Sequence, residues 1–410
     1  MLEWSETEIA IRDTIRDFIE KEIRPHVDEL ESGEMLPYPI IRKLFSTFGV
    51  DAMALDTFKK GIEKERARAA GEVVETSERS GVGGDDTMQL MLSKELCKVS
   101  MGLTAAMGVS LGLSAGTIAS RGTIEQKERW VPDLLTFTKV GAWAITEPNS
   151  GSDAFGGMTT TVRKQGDGYV LNGEKTFITN GPYADTAVVY AKLDDGSDVD
   201  KRRRPVLTFV LDSGMDGYTQ SKPFKKMGIH SSPTGQLFFS DVYLEPDRLL
   251  GDPNSAGAQD GRESARSNFV TERVGIAAMS LGVIEECLRL CTDYAKTREL
   301  WGQRIGDFQL IQLKLANMEV ARINVENMVM RTIEQRRAGK LPTLAEASAM
   351  KYYASQAATE VAMEAVQLFG GNGYMTEYRV EQLARDAKSL MIYAGSNEVQ
   401  ITHIARDLLS

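Results

Sequence analysis

The sequence predicts a mainly α-helical protein with a β-rich middle, and three observations carry that expectation. Apolar residues recur at helical spacing over residues 1–130. The period drops to two between about 140 and 246, and from about 264 the helical period returns and holds to the end. The expected order is an N-terminal helical domain (1–135), a middle antiparallel β-domain (136–250) and a C-terminal four-helix bundle (251–410).

In the first region Ser5 with Glu8, and Thr123 with Gln126, have capping-box spacing ahead of "IAIRDTIRDFI" and "KERWVPDLL". Residues 85–118 read as a long, mostly buried helical stretch with small residues for close packing. The segment 56–86 is charge-dense, then Gly-rich, and reads as a surface helix with a mobile tail, the alternative being a lid over a site. In the middle region "TTVRKQGDGYVLNGEKTFITNG" carries turn signals at Gly166-Asp167-Gly168 and Asn172-Gly173. The segments "TAVVYAKL", "PVLTFVLD" and "GQLFFSDVYL" are further strands. Helices are expected over 268–297, 308–337, 343–369 and 378–409, with breaks at Gly302–Gly306, Gly339–Pro342 and Gly370–Gly373.

Composition narrows the function. The 410-residue chain is 42% hydrophobic and 26% charged, ordinary for a globular protein and long enough for two or three domains. A net charge of −10 argues against binding a phosphate backbone, and the one basic run, "KRRRP" at 201–205, reads as a solvated turn. No apolar stretch reaches the roughly 18 residues that suggest a membrane span. The N-terminus "MLEWSETEIAIRD" is acidic and helical, unlike a signal or transit peptide. Cys97, Cys287 and Cys291 read as core thiols, which with the absent leader gives a reducing, cytoplasmic location. His26, His230 and His403 have no metal-ligand spacing, so no metal is expected. The usual nucleophile, Walker and Rossmann motifs are missing. An enzyme so composed draws its hard chemistry from a bound organic cofactor.

Two features point to a site. In "SNFVTERVGIAAMSLGVI" (267–284), Glu272 shares a helical stripe with Ile276, Met279 and Val283, the side that should be buried. A bland account is a first-turn acid stabilised by the helix dipole, worth about 0.3–1 kcal/mol. Separately, "WAITEPNSGSD" (143–153) ends in a donor-rich Ser/Gly turn that can wrap a polar, planar ring system. The stretch 367–400 breaks at Gly370-Gly371 and turns again at Ala394-Gly395-Ser396, where glycines let a ligand approach backbone.

Those two segments, with "EKTFITNG" (174–181), "TRELWGQRIGDFQLIQ" (297–312) and "LARDAKSLMIYAGSNEV" (383–399), resemble the acyl-CoA dehydrogenase family over nearly the whole chain, weakest in 49–86. The resemblance implies the fold just described and an FAD between β-domain and bundle. It assigns the flavin to Trp143, Ile145, Thr146, Gly151, Ser152, Phe177 and Thr179, with Phe177 where the family often has Trp. Arg298, Trp301 and Gln309 match residues that reach a partner subunit's FAD diphosphate and adenosine. Gln367, Gly370 and Gly371 match a further adenosine contact, and Ser396 and Glu398 the turn after the active-site loop. Such sharing implies an obligate oligomer, a homotetramer.

Many members place a catalytic Glu after the Tyr of that loop; here it reads Tyr393-Ala394-Gly395. A subset resembling isovaleryl- and long-chain acyl-CoA dehydrogenases carries the base on the first bundle helix before an Arg, as in Glu272-Arg273. The implied reaction is removal of a thioester α-proton by Glu272 with hydride transfer to flavin, giving a trans-2-enoyl-CoA. The Ala394 N–H and a ribityl hydroxyl would stabilise the enolate. Ser152, Arg273, Tyr393 and Gly395 match substrate contacts; Val270 replaces a frequent Asp, leaving Arg273 less support on the CoA arm. Electrons would pass to an electron-transferring flavoprotein. Two alternatives stay open on sequence alone: an oxygen-using flavoenzyme on this fold (acyl-CoA oxidase or monooxygenase), and a non-catalytic FAD/CoA-binding subunit.

Overall fold

A computed structural model describes residues 5–72, 86–255, 258 and 260–410. The order is helices, a sheet, then helices, with α1 (Glu6–Phe18), α2 (Val27–Ser32), α3 (Pro37–Phe48), α4 (Val50–Ala69), α5 (Asp86–Cys97), α6 (Met101–Gly108), α7 (Gly116–Arg121) and α8 (Ile124–Leu135) first. Both capping boxes form. The Ser5 hydroxyl accepts the Glu8 N–H at 3.2 Å while Glu8 accepts the Ser5 N–H at 2.8 Å, and Thr123 and Gln126 do the same at 3.3 and 3.0 Å. From the charge-dense segment, α4 forms a surface helix that packs on α8, with Glu65 paired to Lys127 and Arg66 to Glu128. The Gly-rich residues 73–85 lie outside the described residues.

The long helical stretch is interrupted at 98–100 and beyond that runs on through a wider turn. Ser100 caps α6 and meets the Ser231 hydroxyl at 2.8 Å, and a π-helical turn occupies Val109–Ala115. Against the sequence expectation, Met101–Arg121 is long and apolar enough to cross a membrane by composition. In the fold it is a core helix whose Gly102 lies against the Ser231–Ser232 backbone, where a Cβ would come within 2.8 Å.

Strands β1 (Gly141–Ala144), β2 (Thr161–Gln165), β3 (Gly168–Thr179), β4 (Thr186–Leu193), β5 (Val206–Asp212), β6 (Tyr218–Gln220) and β7 (Thr234–Leu244) build the middle sheet. It is antiparallel except at β4, where β1 and β2 pair in parallel along one edge and β5 runs antiparallel along the other. That mixed pairing corrects the purely antiparallel expectation. β4 is buried on both faces: Ala187, Val189 and Ala191 join one core, Val188 and Tyr190 another. Near-continuous apolar strands of this kind suit parallel pairing under two covered faces. "KRRRP" is a turn between β4 and β5, as expected, with Arg204 paired to Asp194.

Gly166-Asp167 turns the chain between β2 and β3, but Asn172-Gly173 does not. It lies inside one continuous strand opposite a bulge on β7, where Asp241, at φ 50°, is bonded to Asn172. An Asn-Gly pair can make a tight turn or run on within a strand opposite a partner's bulge, so local sequence does not separate the two. A second irregularity between Lys175 and Ile178 turns Phe177 outward, at φ 59°.

The bundle comprises α9 (Arg262–Thr297), α10 (Gln309–Arg337), α11 (Leu344–Phe369), α12 (Val380–Leu390) and α13 (Asn397–Leu409). Helix α9 begins earlier than the expected 268, and the expected fourth helix is split by the loop 391–396. Cys287 and Cys291 are buried free thiols in the bundle core, and Cys97 is buried where α5 meets it.

Gly173 sits at φ +137°, where an added Cβ would lie 2.7 Å from the Thr160 Cα. Gly173→Ala should therefore lower unfolding free energy by about 2–4 kcal/mol in urea titrations, through backbone strain and a backbone clash together.

Candidate active site

The carboxylate of Glu272 stands half-buried on α9 with no ion pair or hydrogen bond among the described residues. Burial pushes it up to about 7; the nearby charges of Arg273 and Lys351 pull the other way without prevailing. Across from it the loop 391–396 adopts two successive left-handed residues, Ala394 at φ 57° and Gly395 at φ 80°. This turn directs the Ala394 carbonyl to the Gln400 amide at 3.1 Å, while the Ala394 N–H has no acceptor among the described residues. The Tyr393 hydroxyl reaches the Met279 sulfur at 3.9 Å, and burial lifts its pKa far above the ordinary phenol value, so it stays neutral. An unpaired, partly desolvated carboxylate can accept a proton, and an unspent N–H can stabilise an oxyanion.

A second group of residues lines the sheet edge. The Thr146 hydroxyl donates to the Thr176 carbonyl at 2.5 Å, and the Thr176 N–H donates to the Thr146 carbonyl at 2.9 Å, locking the 143–153 turn onto β3. Beneath it Glu147 accepts from Lys175 at 2.9 Å, from the Thr159 N–H and hydroxyl at 2.6 Å each and from the Thr160 N–H at 2.9 Å. Burial alone would raise the Glu147 carboxyl; Lys175 and the threonine donors outweigh it and hold it at about 2. Above this anchor Gly151 and Ser152 are exposed, Thr179 is half-buried and Phe177 is 69% exposed. Ile145 is buried in the layer below, and the Trp143 indole N–H is buried without an acceptor.

A separate cleft lies at the end of the bundle. Arg298, Trp301, Gln309, Gly370 and Gly371 line it, against Phe369 and Tyr294, whose rings stack at 4.1 Å. Gln367 is exposed one turn before Gly370. Trp301 is 89% exposed, and the Arg298 guanidinium has no ion pair among the described residues. None of the sheet-edge residues borders this cleft.

Matches to known proteins run the length of the chain: "Acyl-CoA dehydrogenase, N-terminal domain" over residues 5–138, "middle domain" over 142–242 and "C-terminal domain" over 259–409. The chain belongs to the acyl-CoA dehydrogenase family. It is 33% identical over 410 residues to a 3-(aryl)acrylate reductase of Clostridium sporogenes, covering 99% of each chain. It is 34% identical over 385 residues to a short-chain-specific acyl-CoA dehydrogenase of Megasphaera elsdenii, covering 94% of this chain and 93% of that one. The structure of butyryl-CoA dehydrogenase from Megasphaera elsdenii superposes over 100% of both chains, with 33% identity and a TM-score of 0.84.

Members of the family bind FAD, and the residues present fit it. The orphaned Trp143 N–H, the uncommitted Ser152 and Thr179 hydroxyls and the open backbone at Gly151 offer donors to a polar ring system. The uncommitted Arg298 fork and the aromatic walls of the bundle cleft suit a diphosphate and an adenine. Ser396 stands at the start of α13, where Glu398 is exposed and its carboxyl is lowered by hydrogen bonds from backbone and Ser396.

One placement differs from the sequence expectation. Arg273 is only 2% exposed and donates to the Ser348 hydroxyl at 2.9 Å, with its guanidinium 5.6 Å from the Phe269 ring. It lies inside the bundle behind the loop, not on an open face for the CoA arm. Sequence reasoning also missed Lys351, which is completely buried on α11. The signal was there: Lys351 shares a stripe with Ala347, Ala354 and Ala358, the same mismatch that singled out Glu272.

A folded-state pKa near 7 against an ordinary 4.5 has a stability consequence. The folded chain holds this proton more tightly, so the contribution is complete below the ordinary value and is lost as pH rises through about 7. Glu272→Gln should accordingly stabilise the protein by about 1–3 kcal/mol near pH 8 and far less near pH 5, read from paired denaturation curves.

Proposed function

We propose that Glu272 is the base of an FAD-dependent α,β-dehydrogenation of an acyl-CoA thioester, with electrons passed to an electron-transferring flavoprotein. The reaction class, the FAD and the flavoprotein acceptor are those of the family. The assignment of the base rests on one observation: a carboxylate with no partner, lifted by burial to about 7, on the helix opposite a loop that carries Ala394 where a second acid could have stood.

The residues divide the work. Glu272 takes the Cα proton; its raised pKa brings it closer to that weak acid than an ordinary carboxylate. The free Ala394 N–H receives the negative charge that develops on the thioester oxygen, which needs only main chain and so tolerates alanine. Tyr393, Gly395 and Ser152 border the substrate. The sheet edge and Phe177 hold the flavin, which when bound supplies the hydride acceptor. The Glu147–Lys175 pair keeps that edge rigid.

The bundle cleft completes the FAD site of a second subunit, which makes the enzyme an obligate homotetramer. In support, the cleft shares no residue with the sheet edge and leaves Leu300, Trp301 and Leu310 exposed. The buried free thiols suit a cytoplasmic enzyme.

Anaerobic bleaching of the visible flavin band with a panel of acyl-CoA thioesters tests the base. Glu272→Gln should retain FAD and reduce it about 10²–10⁴-fold more slowly than wild type; equal rates would place the base elsewhere. For the shared site, Arg298→Ala should elute with less FAD per chain, while wild type should scatter light as four times the 45.2 kDa chain.

A further inference from the structure

Lys351 lies on α11 in a shell of alanine and serine, wholly shielded from solvent. Its ammonium donates to the Gly395 carbonyl at 2.8 Å and to the Asn397 side-chain oxygen at 2.9 Å. The Ser355 hydroxyl reaches the same Asn397 oxygen at 3.1 Å, and the Gln400 amide bridges the carbonyls of Ala394 and Gly395 at 3.1 and 2.7 Å. Every one of these bonds ends on the loop that carries the Ala394 N–H or on the first turn of α13. A buried lysine is costly unless something specific uses it, and here its donors meet a loop carbonyl and a side-chain amide oxygen, not a carboxylate.

We propose that Lys351 is a positioning residue for the dehydrogenation: it clamps the Gly395 carbonyl and Asn397 so that the left-handed Ala394-Gly395 turn leaves the Ala394 N–H free for the substrate oxygen. This rests on the reading of Glu272 as base. The clamp has an electrostatic side as well. The charged groups around it are Glu272 and Arg273 on α9 and Glu398 on α13, and Tyr393 on the loop lies near Glu272. Burial lowers the Lys351 pKa to about 8, with Arg273 adding to that effect and Glu272 and Glu398 opposing it. The ammonium is therefore largely charged at neutral pH, and it favours the ionised form of Glu272. Removing it must raise the pKa of the base, a change that a purely structural lysine elsewhere in the bundle would not cause.

The test follows flavin reduction by an acyl-CoA against pH in four FAD-loaded proteins: wild type, Lys351→Met, Lys351→Gln and Glu272→Gln. Lys351→Met should keep its FAD, reduce it about 10–100-fold more slowly and show its acid limb displaced to higher pH. Lys351→Gln keeps a donor for the loop but no charge, so it should recover part of the rate while the limb stays displaced. Wild-type rates and an unmoved limb in both lysine variants, with Glu272→Gln slow, would overturn the inference and leave the base in place. Failure of both variants to fold with FAD would overturn it too, by making Lys351 a folding residue. Glu272→Gln that bleaches like wild type would remove the base reading, and this inference with it.

Discussion

An acid held in protein without a partner is the constraint on which the site depends. Half-buried Glu272 has no arginine fork, backbone donor or hydroxyl as partner among the described residues, and desolvation is left to set its pKa. Gly282 lets the helix that carries it approach the backbone of α5, where a Cβ would fall 2.2 Å from the Lys94 carbonyl oxygen.

The same chain holds a second buried glutamate in the opposite state. Glu147 collects an ammonium, two N–H groups and a hydroxyl and is held at about 2; Glu272 collects none and rises to about 7. Identical side chains are thus committed to different work by their surroundings, one as a rigid anchor beneath the flavin-facing turn and one as a proton acceptor. The cations near Glu272 do not touch it. Arg273 is spent on Ser348 and Lys351 on the loop, so each moderates the base through space while holding the scaffold around it.

What the sequence revealed follows from which forces are local. Capping boxes at Ser5 and Thr123 and the change of period near 140 are short-range signals, and the structure carries them. Glu272 was legible because helical geometry alone puts it on an apolar stripe. The parallel pairing of β1 and β2 with β4 was not, since it depends on strands far apart in sequence. Asn172-Gly173 has the residues of a hairpin turn, and only the continuing ladder to β7, with its bulge on that partner strand, shows that the chain runs on. Arg273 misled because its neighbour in sequence, Glu272, lines the site; one step along a helix rotates the side chain by about 100°, here toward Ser348. Lys351 stands on an apolar stripe as Glu272 does, but that local mismatch does not say that its partner is a loop 44 positions away.

The most direct measurement is an infrared titration of the Glu272 carboxyl itself, taken as the difference between wild type and Glu272→Gln in the FAD-loaded enzyme. The account predicts a protonated C=O band that disappears with a midpoint near 7. A carboxylate already ionised throughout, with a midpoint near the ordinary 4.5, would contradict it, because the acid would then be solvated or paired and its placement on the buried stripe would have no catalytic meaning.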